Sequence, residues 1–158
     1  YYNLLNRMPE VEILPACETY GMGVTSYSPI ARGVLTGKYL PGQAPQEGTR
    51  AARGDRRMSE TEFREESLQI AQTLKQHAEQ RGISLAQFAT AWVLAHRAIS
   101  SVIAGPRTLA QWQDYFPALD YVVTPEDEQL VNELVAPGHP STPGYTDPAY
   151  PLSPRRRA

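Results

Sequence analysis

Apolar and polar positions fall in blocks along this chain, and the blocks switch between two periods. Short apolar runs at residues 22–26 and 101–104 read as buried strands. Tyr2-Asn3-Leu4-Leu5 reads as the end of another strand. Elsewhere the period is helical. Residues 9–20 predict a short helix with Val11, Leu14 and Pro15 near its apolar side, closed by Gly21 in a left-handed conformation. Ser59-Glu60-Thr61-Glu62 has capping-box spacing and predicts a helix reaching Arg81, with Phe63, Leu68 (or Ser67), Ala71 and Leu74 at helical spacing and Gly82 as its stop. Ser84-Leu85-Ala86-Gln87 is a second capping box. Its helix sets Leu85, Phe88, Ala89, Trp92, Val93 and His96 on one stripe. Thr108-Leu109-Ala110-Gln111 and Thr124-Pro125-Glu126-Asp127 open two more helices, the latter with Pro at the first helical position.

Two strand-to-helix steps with short apolar strands predict parallel pairing and right-handed crossovers. The class is α/β, either a doubly wound sheet or a (β/α)8 barrel. Three predicted strands are too few to close a barrel. The chain also opens on Tyr1 and runs straight into an apolar stretch. The expectation is the later part of a longer protein, whose open sheet edges leave it unstable, aggregated or partnered when alone. Residues 39–57 form a long connection rich in Gly, Pro and Arg, and such connections are usually lids or disordered. Residues 137–154 hold six prolines and two glycines, which excludes helix and interior strand. The expected division is therefore one folded domain over residues 1–136 and a Pro-rich tail over 137–158, wrapped on the surface or disordered.

Composition narrows the function classes. The hydrophobic content of 41% is that of a globular chain, and no apolar run approaches the roughly 20 residues of a membrane span. A net charge of −2 gives no bulk attraction to nucleic acid or anionic membrane. Cys17 is the lone cysteine, so there is no internal disulfide and no zinc-ligand cluster, in keeping with a reducing, cytoplasmic location.

Two glycine motifs fail on inspection. Gly33-Val34-Leu35-Thr36-Gly37-Lys38 has three residues between its glycines where a P-loop needs four, and Tyr39 follows the Lys where a P-loop needs Ser or Thr. Gly21-Met22-Gly23 lacks the third glycine of the dinucleotide fingerprint, since Ser26 stands there. Two loops after two strands remain, Tyr27 to Lys38 and Gly105-Pro106-Arg107-Thr108. Ligands bind at such strand ends in α/β folds. Spacing alone makes Tyr27 equally a core residue or a platform for a planar ring. Likewise, Arg107 ahead of Thr108 is either a surface arginine beside a capped helix or an anion ligand at a helix start.

Four segments together resemble one family. They are Tyr2-Asn3-Leu4-Leu5-Asn6-Arg7, Glu12-Ile13-Leu14-Pro15-Ala16-Cys17, the run from Gly23 through Tyr27-Ser28-Pro29-Ile30-Ala31-Arg32-Gly33-Val34-Leu35-Thr36-Gly37-Lys38 to Tyr39, and Val102-Ile103-Ala104-Gly105-Pro106-Arg107-Thr108-Leu109-Ala110-Gln111. The likeness is to the aldo-keto reductases, in the branch that includes bacterial reductases and potassium-channel β subunits. It covers residues 1 to about 135 in the family's order. The resemblance implies a (β/α)8 TIM barrel, of which this chain supplies strands six to eight with their flanking helices. It implies NADP(H) as cofactor and a small aldehyde or ketone as substrate, reduced by hydride transfer. The ring of Tyr27 is expected against the nicotinamide. Ser28, Pro29, Ile30, Ala31, Gly33 and Leu35 are expected along the pyrophosphate, with Lys38 approaching it. Gly105 and Arg107 are expected at the 2′-phosphate, and Gln111 and Asp114 at the adenine. Gln111 has a rival role as capping-box partner of Thr108. Tyr115 stands where the family usually has Asn, and lacks that residue's amide donor and acceptor pair. The arginines at 50, 53, 56 and 57 are expected to close over the pyrophosphate, and the Pro-rich tail to border the substrate opening. The family's catalytic Asp, Tyr, Lys and His match nothing in this sequence. His77 reads as a solvated helix position, His96 as a helix end and His139 as part of the tail, so no catalytic residue is assigned.

Overall fold

The computed structural model describes residues 1–150. Pro151, Pro154 and the Arg155-Arg156-Arg157 run of the expected tail lie outside the described residues. Two strands form among the described residues, β1 (Val24–Tyr27) and β2 (Ile99–Ile103). They pair in parallel, with Thr25 opposite Ser101, Ser26 opposite Val102 and Tyr27 opposite Ile103. The connection between them holds α2 (Arg56–Glu60), α3 (Glu65–Gln80) and α4 (Leu85–Ala95). A short helix α1 (Ile13–Thr19) precedes β1, and α5 (Leu109–Gln113) and α6 (Pro125–Leu134) follow β2. No helix among the described residues is long and apolar enough to cross a membrane.

The core lies where α3 and α4 cover the sheet and the segment Ala31–Thr36. Ser67, Leu68, Ala71 and Leu74 are buried on α3, and Leu85, Phe88, Ala89, Trp92 and Val93 on α4. Both capping-box bonds at the start of α4 are present: Gln87 N–H donates to Ser84 Oγ (3.2 Å), and Ser84 N–H donates to Gln87 Oε1 (2.9 Å).

Four local expectations are corrected. Residues 2–5 form no strand. The Asn3 side-chain oxygen accepts Leu5 N–H (2.9 Å), and Asn3 and Asn6 exchange backbone bonds, so a turn replaces the extended run. Residues 9–20 are not one helix. A 3-10 turn at Met8–Glu10 carries Pro9, the backbone breaks at Glu12 (φ −133°), and Val11 is exposed rather than apolar-facing. The helix expected from Ser59 is two helices. Asp55 caps α2 by accepting Met58 N–H (2.8 Å), and α3 starts only at Glu65, because the Glu62 carboxylate is drawn to Arg32 and is not available to close a box with Ser59. His77 is not solvated: it is half-buried, with Nε2 2.6 Å from Asp127 Oδ1.

Asp127 ties α6 to α3. It is fully buried, and its Oδ2 accepts Thr124 N–H (2.8 Å) and the Tyr121 hydroxyl (2.8 Å). Burial pushes its carboxyl up, but the Thr124 amide, His77 and Tyr121 outweigh burial and hold it below the ordinary carboxylate range. A depressed carboxyl contributes stability that is complete above the unfolded-state range and is lost as pH falls through the folded-state value. Asp127→Ala is therefore expected to cost roughly 2–4 kcal/mol near neutrality. The difference from the unsubstituted chain is expected to shrink as the medium is acidified below the carboxylate range, a trend that urea denaturation across pH measures.

Candidate cofactor site

The register of the two strands builds the site. Because Tyr27 lies opposite Ile103 in a parallel pair, the chains leaving β1 and β2 emerge side by side. A groove of about 640 Å³ opens between them. The first loop brings Tyr27, Ser28, Pro29, Ile30, Gly33 and Lys38 to its wall. The second brings Gly105, Arg107, Gln111 and Asp114. Ten of the expected positions therefore share one cleft. Ala31 and Leu35 do not line it. Both are fully buried in the core, where the Ala31–Thr36 turn directs their apolar side chains.

The first loop is strained where it bends. Ser28 (φ 58°), Ala31 (φ 48°) and Arg32 (φ 51°) are left-handed without being glycine, a conformation costing about 1–2 kcal/mol each. Side chains hold it in place. Asn3 Nδ2 donates to the Ser28 carbonyl (3.0 Å), and Arg32 pairs with Glu62 and Thr61. Glu62 is 1% exposed and Arg32 13%, so this ion pair is nearly buried under the groove. Gly33 (φ 97°) completes the bend. A Cβ there would stand 3.7 Å from Lys38 Nζ, on the groove wall.

The wall is electropositive. Lys38, Arg32, Arg50, Arg53 and Arg107 line it against two carboxylates, Asp55 and Asp114. Asp55 neutralises Arg50 (2.8 Å); the Met58 N–H above all, then Arg50, holds its carboxyl below the usual range. Among the described residues Arg53, Arg107 and Lys38 make no ion pair, although Lys38 Nζ stands 5.2 Å over the Tyr39 ring. Arg56 and Arg57 do not reach the groove, because Arg56 pairs with Glu60 and Arg57 with Glu60 and Asp147. Tyr27 is 42% exposed, and its ring lies 5.7 Å from that of Tyr1 at 40°.

The second loop is more occupied than its spacing suggests. Gln111 Oε1 accepts Arg107 N–H (2.8 Å), and Gln111 N–H donates to Thr108 Oγ1 (3.2 Å). Its rival role is thus partly real, with the side-chain bond going to residue 107 rather than 108. Asp114 Oδ1 accepts from Gln87 Nε2 (2.7 Å), fastening α5 to α4. With five residues α5 sums few peptide dipoles, so attraction for an anion rests on the side chains. The wall also contains Tyr115, noted above for its departure from the family, Pro106 of the second loop, and Arg32, Thr36, Asp55, Ala86 and Ile103, to which the sequence assigned no role. Arg32 had a signal, as the one charged residue inside an apolar turn.

This cationic cleft, with a bare glycine wall and an exposed aromatic at a strand end, suits an anionic ligand with a flat ring. The sequence pattern of the Aldo/keto reductase family matches residues 1–136. The chain belongs to the aldo/keto reductase family. It is 36% identical over 147 residues to a probable voltage-gated potassium channel subunit beta of Oryza sativa subsp. japonica, covering 91% of this chain and 45% of that protein. An uncharacterized oxidoreductase of Bacillus subtilis, YrpG, is 33% identical over 149 residues, covering 94% and 42%. An L-glyceraldehyde 3-phosphate reductase of Escherichia coli O157:H7 is 31% identical over 141 residues, covering 87% and 40%. A solved glycerol dehydrogenase of Gluconobacter oxydans superposes with a TM-score of 0.69 at 24% identity, over 99% of this chain and 44% of that one, a likeness of fold. The chain spans less than half the length of these curated relatives. Aldo/keto reductases generally use NAD(P)H, whose diphosphate and planar rings match the chemistry of this aldo/keto reductase groove.

Gly33→Ala keeps ordinary contact distances but forces a Cβ into the left-handed region. Thermal denaturation is expected to show a loss of about 1–2 kcal/mol.

Proposed function

We propose that the polypeptide containing this chain is an NADPH-dependent oxidoreductase that reduces small aldehydes or ketones to alcohols, and that this chain forms much of its cofactor-binding half. On this reading residues 1–136 are the last part of a (β/α)8 barrel, with β1 and β2 as its seventh and eighth strands and residues 137–158 as an appended tail. The observation that supports it best is the meeting of Tyr27, Lys38 and Arg107 on one groove at two adjacent strand ends.

When bound, the cofactor supplies a hydride to a carbonyl carbon. The residues of this chain bind and orient it. The Tyr27 ring offers a flat apolar face at the end of β1 for the nicotinamide. Ser28, Pro29, Ile30 and Gly33 form the wall along the pyrophosphate, and Ala31 and Leu35 hold that wall from behind. Lys38, Arg50 and Arg53 supply positive charge. Arg107, without an ion pair among the described residues, is the candidate for the 2′-phosphate, since a guanidinium can fork onto phosphate oxygens. Gln111, Asp114 and Tyr115 edge the adenine side, where Gln111 and Asp114 chiefly hold the loop and Tyr115 gives its ring rather than an amide.

A second reading, a non-catalytic NADP(H)-binding subunit, is favoured by the 36% and 35% identities to probable potassium channel beta subunits of rice and Arabidopsis thaliana. Both readings place the cofactor in the same groove, and turnover of an aldehyde by the intact polypeptide separates them.

Titration of the intact polypeptide with NADPH is expected to give a saturable fluorescence change, and its absence removes the cofactor reading. Arg107→Ala is expected to lower the preference for NADPH over NADH by roughly 10- to 100-fold, the weight of one charged hydrogen-bonding group. An unaltered preference removes Arg107 from the 2′-phosphate.

A further inference from the structure

The segment after residue 136 falls outside the family match, yet it is bound closely to the base of the arginine-bearing loop. Asp147 accepts from both ends of the Arg57 guanidinium, at 3.0 and 2.5 Å. The Tyr145 hydroxyl donates to the Glu60 carbonyl (2.9 Å), and its ring lies 3.9 Å from the Arg64 guanidinium carbon. Arg64 in turn donates to Thr142 Oγ1 (2.7 Å) and Ser141 Oγ (3.0 Å). Ser141 Oγ lies 2.8 Å from Ser67 Oγ, and Ser141 N–H donates to the Leu5 carbonyl (2.9 Å), which seats the segment on the core.

The bonds to Arg57, Glu60 and Arg64 converge on α2 and its C-terminal flank. Helix α2 has five residues and buries only Met58, so its own propensity and burial do not fix its position. Asp55, which caps it, is the last residue of loop 41–55 and the partner of Arg50. Arg50 and Arg53 of that loop face the groove. Most of the loop is exposed, so its placement is drawn from its anchors rather than from packing. At its other end the anchors are Tyr39, which is buried, and Gln72, whose Nε2 donates to the Gly37 and Tyr39 carbonyls (3.1 and 3.0 Å).

We infer that residues 141–147 are a clamp that positions loop 41–55 against the groove, and that Asp147 is its principal positioning residue. Among the described residues the Asp147 carboxylate accepts from Arg57 and from the Ala149 N–H, and neither residue lines the groove. It acts through Arg57 and α2, which carries Asp55 and with it Arg50. The clamp itself stands on contacts within this chain, whereas its effect on cofactor release rests on the reading proposed above.

Amide hydrogen exchange on the intact, cofactor-free polypeptide tests the clamp. Asp147→Ala is expected to speed exchange across residues 41–60 by about tenfold while leaving β1, β2 and α4 unchanged. Asp147→Glu, which keeps the carboxylate, is expected to return the loop to near its original protection. Under the cofactor reading, NADPH also leaves the alanine variant several-fold faster in stopped-flow fluorescence. Unchanged exchange in the loop, or an equal acceleration in β1 and β2, overturns the clamp. Failure of the unsubstituted protein to bind NADPH removes the cofactor reading, and the exchange result still decides the clamp.

Discussion

The parallel register of β1 and β2 is the constraint on which the site depends. A shift of one residue would turn Tyr27 to the face now taken by Ser26, which is buried. The ring would leave the groove, and the two loops would no longer start level with each other. Residues from opposite ends of the connection meet only because Tyr27 faces Ile103. The helices α3 and α4 fix that register from one side, since Val24, Ile99 and Val102 pack into the same core as Leu74, Phe88 and Val93.

The loop after β1 gives up stability for shape. Three left-handed residues that are not glycine would together cost several kcal/mol in an unsupported peptide. The structure offsets this with an asparagine amide on the Ser28 carbonyl, a buried Ala31 and a nearly buried Arg32–Glu62 pair. Removing either member of that pair would leave the other charge buried alone, a far worse state than having neither. The bend and the ion pair are one device, and the groove wall is its product.

The sequence disclosed those parts whose determinants are local. Both strands are legible within one or two residues at each end, and the caps at Ser84, Thr108 and Thr124 stand where the spacing puts them. Ten of twelve expected site residues lie on one cleft, because a motif running out of a strand keeps its order in space. The Ala31 and Leu35 side chains turn into the core because the turn is irregular, and no simple period tells which side chains point inward. The same limit explains the helix wrongly started at Ser59. The spacing was right, but Glu62 finds a distant partner in Arg32, a contact across thirty residues that no local rule contains. His77 follows the same limit, since its partner Asp127 arrives from a helix fifty residues on.

The turn at residues 2–7 is finished from far along the chain. Arg7 donates to the Asn132 side chain (2.7 Å) and the Val135 carbonyl (2.9 Å), and Asn6 bridges to Pro140. During translation the early segment emerges long before these partners exist. Leu4 and Leu5 must then wait exposed, or in borrowed company, until Asn132 and Val135 leave the ribosome more than a hundred residues later. A chaperone that shelters this turn must accordingly hold it while α1 through α5 are made.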